Sequence, residues 1–419
     1  MFIYTVQSGD SLFTISQKFD VSIDRIRSVN GLVEPTLVPG QALLMNTNPY
    51  TVQPGDSFYT IAHKAFIPVN LLMDANPSVD PNFLQPGMKI TLPALPGYTA
   101  SIVNYFYITG TEQDQLLVRD FAPYTTDYSF FEYHIHPDGS LSLLDDVLAI
   151  EAAWNSRTVP LATITNLTPA GFSSELTSGV LNNPSTRNNL IESIETLVSQ
   201  NGYAGVNIDL EGTYPDDRDV FSTFLSELGS RLHDAGFLLT VAVPPKTSEN
   251  IPWHAGYDYG AIGSVVDFMF IMAYDWHHFA SEPGPVAPID EVRKTIEFAL
   301  ENMDRSKIIL GIPLYGYNWI LPYTPGAMVS AISNQGAMNL ALKYNVPVHY
   351  SEEYEAPSIQ YVDEAGQRHI VWFEDTRSIA AKLQLVRDYG LLGSGAWQIG
   401  LDFPQGPWLL TKFFNIRKA

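Results

Sequence analysis

Tyr203-Ala-Gly-Val-Asn-Ile-Asp-Leu-Glu-Gly-Thr-Tyr-Pro215 is the stretch on which the fold and the chemistry both turn. Its strict alternation predicts a β-strand over 204–210, because successive strand residues point to opposite faces. Val206, Ile208 and Leu210 then share one face, while Asn207, Asp209 and Glu211 share the other. Turned toward helices, the apolar row leaves the polar row pointing inward. Burying two carboxylates is costly unless they are paired or used. The stretch contains no basic residue to pair them. Glu211 falls at the strand's carboxyl end, where parallel barrels place their active sites.

Outward from this strand the chain keeps alternating apolar runs with helical segments, the pattern of parallel βα units. Candidate strands are 101–108, 128–133, 159–165, 204–210, 238–243, 267–273, 308–314 and 394–399. Eight strands with interspersed helices over residues 98–419 predict an α/β fold, a (β/α)8 TIM barrel, with an open doubly wound sheet as the competing arrangement. The seventh and eighth strands are too far apart for one helix. Residues 318–376 between them hold alternating runs near 346–350, 359–362 and 369–373, read as a small β-rich insertion walling one side of a cleft.

Before the barrel the chain repeats itself. Tyr4-Thr-Val-Gln-Ser-Gly-Asp-Ser-Leu-Phe-Thr-Ile-Ser16 recurs as Tyr50-Thr-Val-Gln-Pro-Gly-Asp-Ser-Phe-Tyr-Thr-Ile-Ala62, with nine of thirteen positions identical at an offset of 46. Asn30 and Asn76 keep that offset, and Val38-Pro39-Gly40 answers Gln85-Pro86-Gly87 one residue later. Each copy reads as strand, Gly-Asp turn, two helices and strand, with Ser11 and Ser57 as helix N-caps. Phe13/Ile15 and Tyr59/Ile61 are expected to begin the helices' apolar faces. Modules of about 45 residues lie near the lower limit for folding without disulfides.

This repeat resembles the LysM module, so that residues 1–47 and 48–94 are expected to be two βααβ modules. The resemblance implies binding to N-acetylglucosamine-containing glycans through two loops. In the first copy they hold Gly9, Asp10, Ser11 and Asn30, in the second Gly55, Asp56, Ser57 and Asn76. The plainer reading of Gly-Asp-Ser is turn and cap chemistry alone.

Three later strand ends add parts to the site. Phe270-Ile-Met-Ala-Tyr-Asp275 puts Tyr274 and Asp275 after the sixth strand, Gly311-Ile-Pro-Leu-Tyr315 puts Tyr315 after the seventh, and Gly395-Ala-Trp-Gln398 puts Trp397 and Gln398 in the eighth. A lone strand tryptophan is usually core, but here it coincides with the other landmarks. Together these residues resemble the family 18 glycoside hydrolases across about residues 98–419, whose signature is DxxDxDxE on the fourth strand, MxYD on the sixth and Trp on the eighth. Ala204 and Asn207 stand where the first two signature aspartates would be.

The resemblance implies a retaining, substrate-assisted hydrolase. Glu211 would be the acid and base, and the substrate's 2-acetamido oxygen the nucleophile. Asp209 and Tyr274 would hold that acetamido group, with Asn207 and Asp275 in support. Trp397, Tyr315 and Gln398 would bind the sugar. An amide at 207 can donate to Asp209, so Asp209 is expected to stay ionised over a wide pH range, with activity extending to mildly acidic pH.

Composition narrows the partners. The net charge of −22 is concentrated after residue 97, where it is −20 against −2 before, the wrong sign for nucleic acid or anionic lipid. No cysteine is present, which excludes disulfides, zinc-thiolate sites and thiol nucleophiles. His134/His136 and His277/His278 lack a matching ligand set, so neither metal nor cofactor is expected. Asp216, Asp217 and Asp219 suit the start of a helix. No cleavable signal and no membrane span are visible.

Two LysM-like modules on such a barrel, the Asn207 form of the signature and the Gly-Ala-Trp-Gln-Ile-Gly eighth strand resemble the spore cortex-lytic N-acetylglucosaminidases of endospore-forming bacteria. That implies a spore- or wall-associated enzyme whose partner is peptidoglycan. A chitin-directed hydrolase with the same machinery, or a non-catalytic glycan binder on a retired barrel, are the alternatives.

Overall fold

The computed structural model describes all 419 residues, Met1–Ala419. The chain begins with two βααβ modules. The first holds β1 (Phe2–Thr5), α1 (Leu12–Phe19), α2 (Ile23–Asn30) and β2 (Ala42–Met45); the second holds β3 (Tyr50–Thr51), α3 (Phe58–Lys64), α4 (Val69–Asp74) and β4 (Lys89–Ile90). In each, the outer strands pair antiparallel. Ser11 and Ser57 cap α1 and α3 through reciprocal bonds with Thr14 and Thr60. Neither module stands alone, because Phe2, Phe19 and Tyr50 join a single core of 21 buried residues drawn from both. That sharing answers the size problem of modules without disulfides.

The helical period corrects one expectation about these modules. Leu12, Ile15 and Phe19 form the buried face of α1, whereas Phe13 is 63% exposed. Tyr59, at the same place in α3, is 68% exposed. At 100° per residue, positions 13 and 15 cannot share one narrow apolar stripe.

The eight-stranded barrel follows. Its strands are β5 (Thr99–Tyr107), β6 (Asp127–His134), β7 (Val159–Thr165), β10 (Gly205–Asp209), β11 (Leu238–Val243), β12 (Phe268–Ile271), β13 (Ile308–Pro313) and β19 (Gly393–Trp397). All pair parallel in chain order, and β19 closes onto β5. A short hairpin, β8 (Leu167–Thr168) with β9 (Gly171–Phe172), projects after β7. Helices α5 (Glu112–Phe121), α6 (Val147–Asn155), α7 (Ser174–Asn182), α8 (Pro184–Asn201), α9 (Arg218–Asp234), α10 (Tyr259–Val265) and α11 (Ile289–Asn302) join the strands through β13. No helix is long and apolar enough to cross a membrane.

Val206, Ile208 and Leu210 are fully buried, in the core shared with the helix layer. Each contributes about 1.5–3 kcal/mol by leaving water. Inside the barrel Phe270 packs against two glycines on neighbouring strands: a Cβ on Gly311 or Gly395 would lie 2.7 Å from its ring, and closer still to Ile271 O at 2.6 Å or Val103 O at 2.1 Å. Glycine is required at both positions by that approach.

Between β13 and β19 runs an antiparallel five-stranded sheet of β14 (Tyr315–Leu321), β15 (Val329–Ser333), β16 (His349–Ser351), β17 (Ala356–Val362) and β18 (Arg368–Trp372), with α12 (Asn334–Tyr344) against it. It leaves the barrel at Tyr315, directly after β13. Helix α13 (Thr376–Tyr389) returns the chain to β19, and α14 (Gly406–Phe413) and β20 (Asn415–Ile416) end it against β5.

The first module is docked on this body. Val348 donates its N–H to Pro39 O at 2.9 Å, and Arg377 donates to Gly40 O at 3.1 Å. Val38 is fully buried in the core of the inserted sheet. The matching Gln85-Pro86-Gly87 of the second module is exposed.

Candidate active site

Asp209 is the last residue of β10, and Glu211 stands in the turn beyond it. Gly212 takes φ +69°, which lets the chain bend away at once and leaves the Glu211 side chain at the mouth of the barrel. Four hydrogen bonds fix this turn. Asn166 donates from Nδ2 to Glu211 O at 2.7 Å and accepts the Glu211 N–H on Oδ1 at 2.9 Å. The Tyr257 hydroxyl donates to Leu210 O at 2.7 Å and accepts from Thr213 N at 3.1 Å.

The inward row lies as the alternation requires. Asn207 is fully buried between Thr163 and Thr240, and Asp209 sits beside Thr165. The expected bond from Asn207 to Asp209 is not formed. Asn207 accepts a hydrogen bond from Thr240 Oγ1 at 3.1 Å, and its Nδ2 has no partner, nor has Asp209 Oδ1. Two positions apart on one strand, the two side chains stand side by side without meeting. With no donor and no cation to hold its charge, Asp209 is pushed up to about 7 by burial first and the nearby Glu132 carboxylate second. The hydrogen bond on which a widely ionised Asp209 was expected to rest is thus missing, and burial acts in the opposite direction. Glu211 is raised well above the carboxylate range by desolvation, then by Asp209 and Asp275.

Around the pair stand the later strand ends. Tyr274 packs edge-on against Tyr315 at 6.2 Å, and its hydroxyl bonds to no protein group. Asp275, at φ +64°, accepts from the Tyr315 hydroxyl at 2.7 Å and the Tyr317 hydroxyl at 3.2 Å. Glu211, Tyr274 and Asp275 line a cleft of about 740 Å³. Trp397 lies edge-on to Phe131 at 4.9 Å and Tyr107 at 5.6 Å, forming an aromatic floor, with Gln398 following it.

The alternation and motifs missed Tyr107, Glu132, Asn166, Trp253 and Tyr257. Glu132 accepts from Thr165 Oγ1 at 3.4 Å and lies 3.7 Å from His134 Nε2. Thr165 is also the strand neighbour of Asp209, so three strand ends bring these groups into one row.

In the modules, the predicted loop residues are largely spent on their own fold. Asn30 gives Nδ2 to Ile26 O and Leu44 O and takes Leu44 N on Oδ1; Asn76 does the same with Leu72 and Thr91. Asp10 and Asp56 accept from the hydroxyls of Tyr4 and Tyr50. Ser11 and Ser57 are caps, and Gly9 and Gly55, at φ +88° and +83°, form the turns with open space around them. No group of three or more His, Asp or Glu side chains converges as metal ligands would.

Comparison with known proteins supplies the relatives of this arrangement. The glycosyl hydrolases family 18 model matches residues 165–402, and the LysM domain model matches residues 4–45 and 50–93. YdhD of Bacillus subtilis is 54% identical over the whole of both chains. The cortical fragment-lytic enzyme of Bacillus anthracis is 38% identical over 99% of each. The crystal structure of the Bacillus cereus spore cortex-lytic enzyme SleL superposes with a TM-score of 0.90 at 35% identity, covering 99% of both chains.

Proposed function

Because the chain belongs to the family 18 glycosyl hydrolases and carries two LysM domains ahead of its barrel, we propose that it is a peptidoglycan-degrading β-N-acetylglucosaminidase acting on spore cortex fragments during germination. Relatives named for cortex lysis match it over nearly their full length, which supports the substrate and a location at the spore cortex or coat. The observation that carries the chemistry is the Asp209–Glu211 pair, two carboxyls at one strand end with no cation beside them, a setting in which burial and mutual repulsion favour holding a proton.

In this reading Glu211 protonates the glycosidic oxygen while the sugar's own 2-acetamido oxygen attacks the anomeric carbon. The C1–O bond to the leaving sugar breaks and a cyclic oxazolinium forms. Ionised Asp209 accepts the acetamido N–H, and the free Tyr274 hydroxyl donates to the acetamido oxygen. Glu211, now a carboxylate, takes a proton from the water that opens the ring, so configuration is retained. Trp397 lies under the cleaved sugar. A muramic δ-lactam has no free acetamido group, so the bond cleaved follows N-acetylglucosamine.

Mass spectrometry of cortex fragments before and after incubation tests this in one step. New ends should carry N-acetylglucosamine at the reducing terminus, and Glu211→Gln should slow their release by about 10²–10⁴-fold. Muropeptides cleaved as fast by that variant would sink the assignment. Faster cleavage of chitin oligomers than of cortex fragments would redirect it to chitin.

A further inference from the structure

Trp253 is 71% exposed, an unusual position for the residue with the largest apolar surface. It sits in the loop between β11 and α10, and that loop is tightly held. Lys246 is fully buried and donates to Tyr257 O and to the Glu249 carboxylate, each at 2.9 Å. Arg218 bridges Glu249 at 2.9 Å and Asp258 at 2.8 Å. The His254 ring bonds to Pro245 O at 2.7 Å. The loop is also fastened to the catalytic turn. A Cβ on Gly256 would lie 2.3 Å from Thr213 O, and the Tyr257 hydroxyl ties Leu210 to Thr213 around Glu211.

An exposed indole is thus carried at a fixed place relative to the acid. Trp253 and Glu211 line the same cleft, while Trp397 packs with Tyr107 and Phe131. We propose that Trp253 is a platform for a sugar of the leaving segment, so that the enzyme grips its glycan on both sides of the cleaved bond. This rests on the hydrolase reading. With Trp397 under the cleaved sugar and Glu211 protonating the bond beyond it, the cleft past Glu211 receives the leaving chain. A pyranose offers a flat C–H face that an indole can cover. The lining carries Asp275 and Glu291 and no lysine or arginine, which favours a neutral sugar over an anionic group.

The test uses full-length protein on reducing-end-labelled oligomers of β-1,4-linked N-acetylglucosamine, two to six sugars long, and on cortex fragments. Wild type should cut internal bonds. Trp253→Ala should raise KM for the longest chains at least about fivefold, the effect of losing one well-placed aromatic contact, and move the cuts toward the reducing end. Trp253→Phe should restore most of both. A cutting pattern and KM for the hexamer within about twofold of wild type would overturn the platform and leave the hydrolase standing. Wild-type protein that cuts none of these chains would overturn the hydrolase reading, and the platform with it.

Discussion

Asn166 holds Glu211 by both sides of its backbone, donating to the carbonyl at 2.7 Å and accepting the amide N–H at 2.9 Å. Asn166 is itself fully buried at the end of β7, so the acid's turn is anchored to the neighbouring strand and not to solvent. Removing that anchor should move the acid more than it weakens the barrel. Asn166→Ala is expected to lower kcat about ten- to a hundredfold, with little change in KM and a stability loss of about 1–3 kcal/mol for the lost bonds. Steady-state kinetics beside urea unfolding checks this. A large stability loss with unchanged kcat would make Asn166 purely structural.

Tyr274 makes the opposite case. Tyr274 is buried but its hydroxyl bonds to nothing in the protein, so Tyr274→Phe leaves no donor or acceptor unpaired and should leave the melting temperature within about 1–2 °C. If that hydroxyl binds the acetamido oxygen as the ring closes, kcat should fall about 10²-fold, the value of one donor aimed at developing charge. Full turnover in the phenylalanine variant would remove Tyr274 from the mechanism.

Asp209 should trade stability for activity. Its folded value near 7 lies above the ordinary 3.8, so the folded state binds more protons than the unfolded chain between those limits. Stability contributed by this group is therefore complete below about pH 4 and declines as pH rises toward 7. Asp209→Asn is expected to abolish cleavage and yet raise the melting temperature by about 2–4 °C at pH 8, an advantage that vanishes at pH 4. The same sign sets the activity profile. Turnover that needs ionised Asp209 fades as pH falls through about 7, and Asn207→Asp should move that limb upward by adding a like charge. Two superimposable profiles would mean that Asp209 does not set the acid limb.

The barrel strands were legible because each is an apolar run long enough to outlast its neighbours' propensities, and the row of Asn207, Asp209 and Glu211 because β10 alternates without interruption. Glu132 was not, since β6 shifts register between Phe130 and Tyr133, and beyond such a bulge alternation no longer tells which face a side chain takes. Asn166, Trp253 and Tyr257 lie in loops, where no period marks them. Asn207 was placed correctly and given the wrong partner, because a strand pattern gives direction but not the rotamer that turns its amide toward Thr240. Asn30 and Asn76 illustrate a different limit. A repeated residue marks what the module needs, and here the module needs a buried amide to bind helix to strand.

The two repeats offer a matched pair for the last prediction. Gly40 and Gly87 hold the same place after the proline, with φ of +83° and +88°, so a side chain strains either backbone by about 1–2 kcal/mol. Their surroundings differ. A Cβ at Gly87 meets nothing within 4 Å, whereas one at Gly40 would lie 1.9 Å from Val348 O, against the inserted sheet. Gly87→Ala should therefore cost only the backbone strain. Gly40→Ala should cost about 2 kcal/mol more, and should loosen the hold of Arg377 and Val348 on the first module. Urea unfolding of both variants, with limited proteolysis between residues 93 and 98, reads the difference directly. Equal losses would mean that the first module's docking contributes nothing to stability, and that it rides on the barrel as loosely as the exposed Gln85-Pro86-Gly87 loop rides on the second.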